Sequence, residues 1–202
     1  MTKSKGLFIA IEGLDGSGTS TQADLLTKNL NGIGCPTFLT KEPTNNLIGG
    51  LIRGTLTKDW QASPECLQLL FAADRAHHLD RMIIPARENG KTIITDRYIF
   101  STIAFGSVEC DKTWLEELNR KFLLPDITFF IDVPASICIK RIKNTRNQFE
   151  LFEREKVLEQ VRKNYLSLAK QKKYNIVVIS GENNIDEISQ KLFTKTKVLL
   201  KK

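Results

Sequence analysis

Residues 11–22 read IEGLDGSGTSTQ. Gly13, Gly18 and Ser20 fill three of the four fixed places in G-x-x-x-x-G-K-[ST], a turn whose backbone N–H groups cradle phosphate and whose hydroxyl reaches Mg2+. Thr19 stands where that pattern has its lysine. The chemistry addressed is phosphate binding by Gly13, Leu14, Asp15, Gly16, Ser17, Gly18, Thr19, Ser20 and Thr21, with one positive charge missing from its usual place. Backbone N–H groups between Asp15 and Thr21 are expected to face the phosphate, helped by the N-terminus of the helix that STQADLLTKNL begins.

Four other groups carry chemistry. In TDRYIF, Asp96 and Arg97 end an apolar run; the carboxylate suits metal-bound water and the guanidinium suits a phosphate. In FAADR, Phe71 and Arg75 lie four residues apart and share one face of a helix, a ring and a donor fork that fit an aromatic base and its polar edge. Glu42, in TKEPTN, puts a carboxylate on a loop after another apolar run. Lys140, Arg141, Lys143 and Arg146 crowd one short segment that could close over a nucleotide as a lid. Each has a plainer reading: a structural ion pair, a core phenylalanine, a surface acid, solvated bases. His77 and His78 are adjacent and lack metal-ligand spacing, so a structural or solvated role is expected.

The elements that must position these residues are short β-branched runs at 7–12, 36–40, 92–96, 127–132 and 175–180, separated by helix-length segments. That alternation predicts an α/β fold, a five-stranded parallel sheet with helices on both faces. The glycine loop then lies between the first strand and the first helix, and Asp96 and Arg97 lie at a strand's carboxyl end, where open α/β sheets bind ligands. Ser63 as cap and Pro64 in the first turn open a long helix leading to the third strand.

A chain of 202 residues with 41% hydrophobic residues can bury one sizeable core, and a single domain over 1–202 is expected, with a short lid around 141–154. The net charge of +7 does not point to nucleic acid: residues 161–202 carry ten Lys/Arg against three Asp/Glu, leaving twenty of each sign in the first 160. No aromatic-rich or recognition-helix motif accompanies that basic tail. Cys35, Cys66, Cys110 and Cys138 are far apart and form no C-x-x-C pair. Reduced thiols in a cytoplasmic protein are expected, with no disulfide framework, zinc site or membrane span.

Taken in order, EGLDGSG, KEP, LLFAADRAHHL, DRYIFSTIAF, LPDITFFIDVP and VRKNYLSLA resemble the thymidylate kinase family of P-loop nucleoside monophosphate kinases, over residues 7 to about 170. The resemblance implies transfer of the γ-phosphoryl of ATP to dTMP, giving dTDP and ADP, with Mg2+, on a P-loop fold that usually forms homodimers. It implies that Phe71 stacks on thymine, Arg75 binds its polar edge and Arg97 binds the dTMP phosphate. Arg53 falls near the monophosphate, Asp15 and Glu42 near sugar or metal, Thr102 facing the base and Phe105 against the sugar 2′ position. Ser20 and Asp96 are the candidate metal residues. The acceptor is itself a phosphate dianion, so the site needs alignment and charge neutralisation more than a general base.

Three positions depart from the family pattern. Thr19 replaces the loop lysine, Gly106 stands where many bacterial members have glutamine, and Leu151 stands where a lid arginine is frequent. Lid charge must then come from Arg141, Arg146 or Arg154, and Arg97, Arg141 and Arg146 are the candidate catalytic residues. Two other readings share the fold: a deoxynucleoside kinase, in which Glu42 acts as base on a 5′-hydroxyl, and a non-catalytic nucleotide binder with a degenerate loop.

Overall fold

The computed structural model describes residues 5–142 and 148–200, with only the backbone of 148–153. Five strands, β1 Phe8–Gly13, β2 Thr37–Lys41, β3 Thr92–Asp96, β4 Ile127–Asp132 and β5 Ile176–Ser180, form one sheet in the order β2-β3-β1-β4-β5. Every pairing is parallel. Five strands were expected at these places, and each observed boundary lies within one residue of the expected one. β1 is buried along its whole length, as a parallel strand covered on both faces must be.

The helices are α1 Thr19–Gly32, α2 Leu47–Leu56, α3 Pro64–His78, α4 Ile84–Glu88, α5 Ile99–Gly106, α6 Lys112–Asn119, α7 Ala135–Arg141, α8 Gln148–Ala169 and α9 Ile185–Leu200. α1 packs on β1, β2 and β3 and meets α9, while α5 and α8 pack together, α5 touching β1 and α8 touching β5. Ser63 caps α3 by accepting from Cys66 N, with Pro64 inside the first turn, as read from the sequence. The helical run continues past α3 through a π turn at Leu79–Ile83 into α4. The ladder widens just before Pro85, whose nitrogen cannot donate.

β1 lies between β3 and β4, with Ile11 beside Asp96 and Gly13 beside Ile131. This register carries the glycine loop, the Asp96–Arg97 pair and the end of β4 to one edge of the sheet. Asp126 secures the opposite edge: it accepts from Phe8 N at 2.6 Å and pairs with Arg87 at 2.9 Å.

Phe8, Leu26, Phe129 and Phe130 are fully buried in the core. Phe129→Ala removes a fully buried ring and should destabilise the fold by about 3–5 kcal/mol, read as a lower urea midpoint with an unchanged m-value. A loss under ~1 kcal/mol would mean that the core around β4 is not packed as described.

Candidate active site

The loop after β1 is shaped by two close approaches. A Cβ on Gly13 would lie 2.3 Å from Ser17 Oγ, and one on Gly16 would lie 2.7 Å from Cys138 O, where φ is also +83°. The loop is thus folded tightly on itself and against α7. Ser17 Oγ is buried and has no partner among the described residues, an orphan that a phosphate oxygen would satisfy. Thr19 is almost fully buried, its methyl turned toward Gly13. Ser20 Oγ donates to Asp96 Oδ2, and Asp96 Oδ1 is buried without a partner. Two hard oxygen groups, one from the loop and one from β3, therefore meet.

Arg97 has φ +69°, a left-handed conformation that a residue with a Cβ adopts only under constraint. Its N–H donates to Ile11 O at 2.9 Å. Its guanidinium bonds Gly13 O at 2.7 Å, Ser101 Oγ at 3.3 Å and Asp15 Oδ1 at 2.8 Å, and lies 5.2 Å from the Phe105 ring centroid. Although Asp96 and Arg97 are neighbours in sequence, the ion pair of Arg97 is with Asp15. Burial alone would lower the Arg97 pKa, but Tyr165, Asp15, Glu12 and Asp96 outweigh it and raise it, so the cation persists at any working pH.

A cleft of about 460 Å³ runs from Arg97 and Asp15 at the loop to Phe71, Arg75, Thr102, Phe105 and Glu42. Seven of the eight residues expected to bind the acceptor nucleotide line it. Arg53 is not among them; its guanidinium donates to Thr44 O on the neighbouring loop. Phe71 is half-buried and faces this cleft, so the plainer reading of a core ring does not hold. Arg75 is 1% exposed. Its Nε and Nη2 reach Glu42 Oε2 at 3.0 and 2.8 Å, Nη2 also reaches Thr102 Oγ1 at 2.9 Å, and Nη1 donates to Asn119 Oδ1. Glu42 is likewise buried, and His78, fully buried, bridges Glu42 Oε1 at 3.1 Å and Thr40 Oγ1 at 2.7 Å. His78 is structural, as expected; His77 is exposed beside Asn46.

Of the basic segment, Arg141 reaches Gly16 O and Gly181 O, both at 3.4 Å, which lays its guanidinium beside the glycine loop. Arg154 lies 4.0 Å from Asp15 Oδ2. Lys143 and Arg146 lie outside the described residues, as does the side chain of Leu151. Cys138, behind Gly16, has its thiol pushed up to about 11, by burial first, and all four cysteines are free. Among the described residues no group of three or more His, Cys, Asp or Glu side chains could hold a metal, and no helix is long and apolar enough to cross a membrane.

The sequence reading assigned no role to Glu12, Tyr165, Asp74, Arg162 or Asp132, all of which hold the site. Glu12, at the end of β1, accepts from Tyr98 N at 3.0 Å, Ser101 N at 3.3 Å and Tyr165 Oη at 3.0 Å, and from Ser101 Oγ. Asp74 takes Thr44 N at 2.7 Å and Thr44 Oγ1 at 2.6 Å, fixing the loop after Pro43. Arg162 grips Asp132 at 2.6 and 3.1 Å, tying α8 to β4, and that hydrogen bonding raises its pKa. The available signals were weak: Glu12 and Tyr165 fall inside EGLDGSG and VRKNYLSLA, but only their partners reveal what they do.

Burial pushes the Glu12 carboxyl up, its hydrogen bonds and Arg97 opposing only in part, and burial likewise pushes the Tyr165 phenol well up. In the unfolded chain a glutamate titrates at about pH 4.3. Since the folded pKa is higher, the stabilisation from protonated Glu12 is full below that pH and is lost as pH rises through the folded pKa. Glu12→Gln, which cannot ionise, should therefore gain melting temperature over the parent as pH rises from 4 to 8. Melting curves across that range check this; a difference that stays flat or falls would mean that the ionised carboxylate is favoured here.

Comparison with known proteins bears directly on this site. The family model described as thymidylate kinase matches residues 11–192, which includes the loop, the cleft, Ser20 and Asp96. A Thermococcus gammatolerans protein named "Probable thymidylate kinase" is 38% identical over 192 residues, covering 91% of this chain and 92% of that protein. One from Metallosphaera sedula, with the same name, is 39% identical over 185 residues, covering 90% and 88%. One from Sulfurisphaera tokodaii, again so named, is 40% identical over 185 residues, covering 91% and 92%. A family match that spans the glycine loop and the cleft beside it, with near end-to-end similarity to these relatives, leads to one assignment: this chain belongs to the thymidylate kinase family.

Proposed function

We propose that this chain transfers the γ-phosphoryl of ATP to the phosphate of dTMP, giving dTDP and ADP, within a single domain over 1–202. The observation that carries the reading is one continuous cleft with Arg97 at the glycine-loop end and Phe71 and Arg75 at the other. That spacing suits a nucleoside monophosphate lying with its phosphate toward the loop and its base toward α3. Residues 13–21 hold the ATP phosphates, and Arg97 holds the acceptor phosphate between Gly13 and Asp15. Phe71 stacks on the base, Arg75 and Thr102 meet its edge, Phe105 crowds the sugar 2′ position, and Glu42 orients Arg75. Arg53, set on Thr44 O, steadies the loop beside the monophosphate.

The residues present fit a magnesium ion. Asp96 Oδ1 is an unpartnered buried carboxylate oxygen and the Ser20 hydroxyl is adjacent, a sparse set of hard donors of the kind that leaves Mg2+ bound partly by water and phosphate. Bound there, Mg2+ would neutralise charge on the phosphates. Aligning two polyanions is then the task of the loop amides, Arg97 and the segment around 141–154, which we read as a lid. We read the assembly as a homodimer, with Leu47 and Leu51 of α2 and Leu69 of α3 exposed on two helices packed together. Four free thiols accord with the reducing cytoplasm.

The charge of the absent loop lysine is supplied by arginine from another segment. Thr19 is buried and too short to span to a γ-phosphate, whereas Arg141 already lies beside Gly16 O. Arg146 is the second candidate within the same segment.

Two measurements test these readings. Coupled ADP release over a panel of nucleoside monophosphates should find dTMP the best acceptor, with Arg97→Ala far more damaging than Phe71→Leu; faster turnover of AMP or thymidine would overturn the assignment. Arg141→Ala should lower kcat by about 10²-fold or more, the effect of removing one preorganised donor from a transferring group, while Thr19→Ala should lower it by less than ~10-fold. Near-normal kcat in Arg141→Ala would assign the missing charge elsewhere.

A further inference from the structure

The buried acceptors near the base end of the cleft are mostly engaged already, and Glu109, which also lines the cleft, is exposed to water. Three of the five N–H groups of Arg75 donate hydrogen bonds, to Glu42, Thr102 and Asn119, and its Nη2 also pairs with Glu42 at 2.8 Å. The rest of the fork can meet a carbonyl of the base. A thymine edge also carries N3–H, which needs an acceptor. Glu42 already takes Arg75 twice and His78 once, and Ser101 Oγ is held by Glu12 and Tyr165. Thr102 Oγ1 already accepts from Arg75, keeping its proton to donate and one lone pair.

One acceptor among the described residues is different. Gln68, on α3 one turn before Phe71, lines the same cleft and is 7% exposed, and its Oε1 is buried with no hydrogen-bond partner. A buried amide oxygen left unmatched is disfavoured, so its position calls for an explanation. Gly106 supplies the space: a Cβ there would lie 3.0 Å from both Gln68 Cδ and Oε1. A Cβ at 106 would press on the amide and on Leu115 Cδ1, also 3.0 Å away, and glycine leaves that room. The torsion that aims a terminal amide is soft, so the oxygen can turn to a base without moving α3.

The geometry points to Gln68 as the specificity-determining residue that reads the imide of the base, its Oε1 accepting from N3–H. This rests on the reading that the cleft receives the base of dTMP. With Arg75 supplying donors to a carbonyl and Gln68 the acceptor to the neighbouring N–H, the pair matches an acceptor-donor edge. It selects an N3–H pyrimidine by complementarity rather than by size.

The test is steady-state kinetics with dTMP and with dTMP methylated at N3, on the parent, Gln68→Leu, Gln68→Ala and Phe71→Ala, each checked by thermal melting. The parent should use the N3-methyl compound at least ~30-fold less efficiently than dTMP, as expected for a lost buried hydrogen bond. Gln68→Leu, which keeps the volume, should raise KM for dTMP about 10-fold or more with kcat within about 3-fold, and should shrink that discrimination to a few-fold. Gln68→Ala should do the same if the leucine variant does not fold. Equal use of both compounds by the parent, or discrimination undiminished in the Gln68 variants, would overturn the proposal. Phe71→Ala separates the two readings: if it raises KM while the Gln68 variants do not, the cleft binds the base without Gln68. If none of the three changes KM, the base lies elsewhere and both readings fall.

Discussion

The site depends on one buried carboxylate. Glu12 ends the central strand, fully enclosed, and gathers donors from the β3–α5 turn at Tyr98 and Ser101 and from α8 at Tyr165. A carboxyl buried this way is disfavoured unless its oxygens are hydrogen-bonded, so its partners are held where it needs them. Those partners frame Arg97, which is pinned from both sides: its N–H to Ile11 of β1, and its side chain to Gly13 and Asp15 of the loop. The left-handed backbone of Arg97 persists because the surrounding hydrogen bonds over-determine it.

A second buried polar cluster supports the other end of the cleft. Arg75 and Glu42 satisfy one another, with Asn119, Thr102 and His78 absorbing the remaining donors and acceptors. Polar groups sealed from water gain specificity only when nearly all are matched, and here nearly all are. Glu42 therefore works as an anchor for Arg75. This also sets the present site apart from a nucleoside kinase, in which the same carboxylate would have to remain free to take a proton from a hydroxyl.

Charge in this enzyme is arranged around arginines. Without a lysine on the loop, the cations beside it among the described residues include Arg97, Arg141 and Arg154, each tied to backbone carbonyls or to Asp15. A guanidinium held at a carbonyl has little freedom left to lose when an anion arrives, and its planar fork can engage two oxygens together. The burial of Thr19 fits the same plan, since its methyl closes the loop against Gly13 where a lysine stem would have to leave it.

Local pattern alone determined much of this protein. Strand positions came from short β-branched runs, the loop from its glycine spacing, and the facing of Phe71 and Arg75 from helical periodicity, because each of these depends on residues within a few positions of one another. The order of six short motifs supplied the family, which near full-length similarity to named relatives bears out. Tertiary structure decided the partners. That Arg97 pairs with Asp15 and not with its neighbour Asp96, that Arg53 turns to Thr44, that Glu12 meets Tyr165 across 153 positions and that Arg162 grips Asp132 all depend on strand order and helix docking. A sequence states which groups can bond; which of them do is set by the parallel register that brings strand ends together, since hydrogen bonds and ion pairs act over a few ångströms of space and are indifferent to distance along the chain.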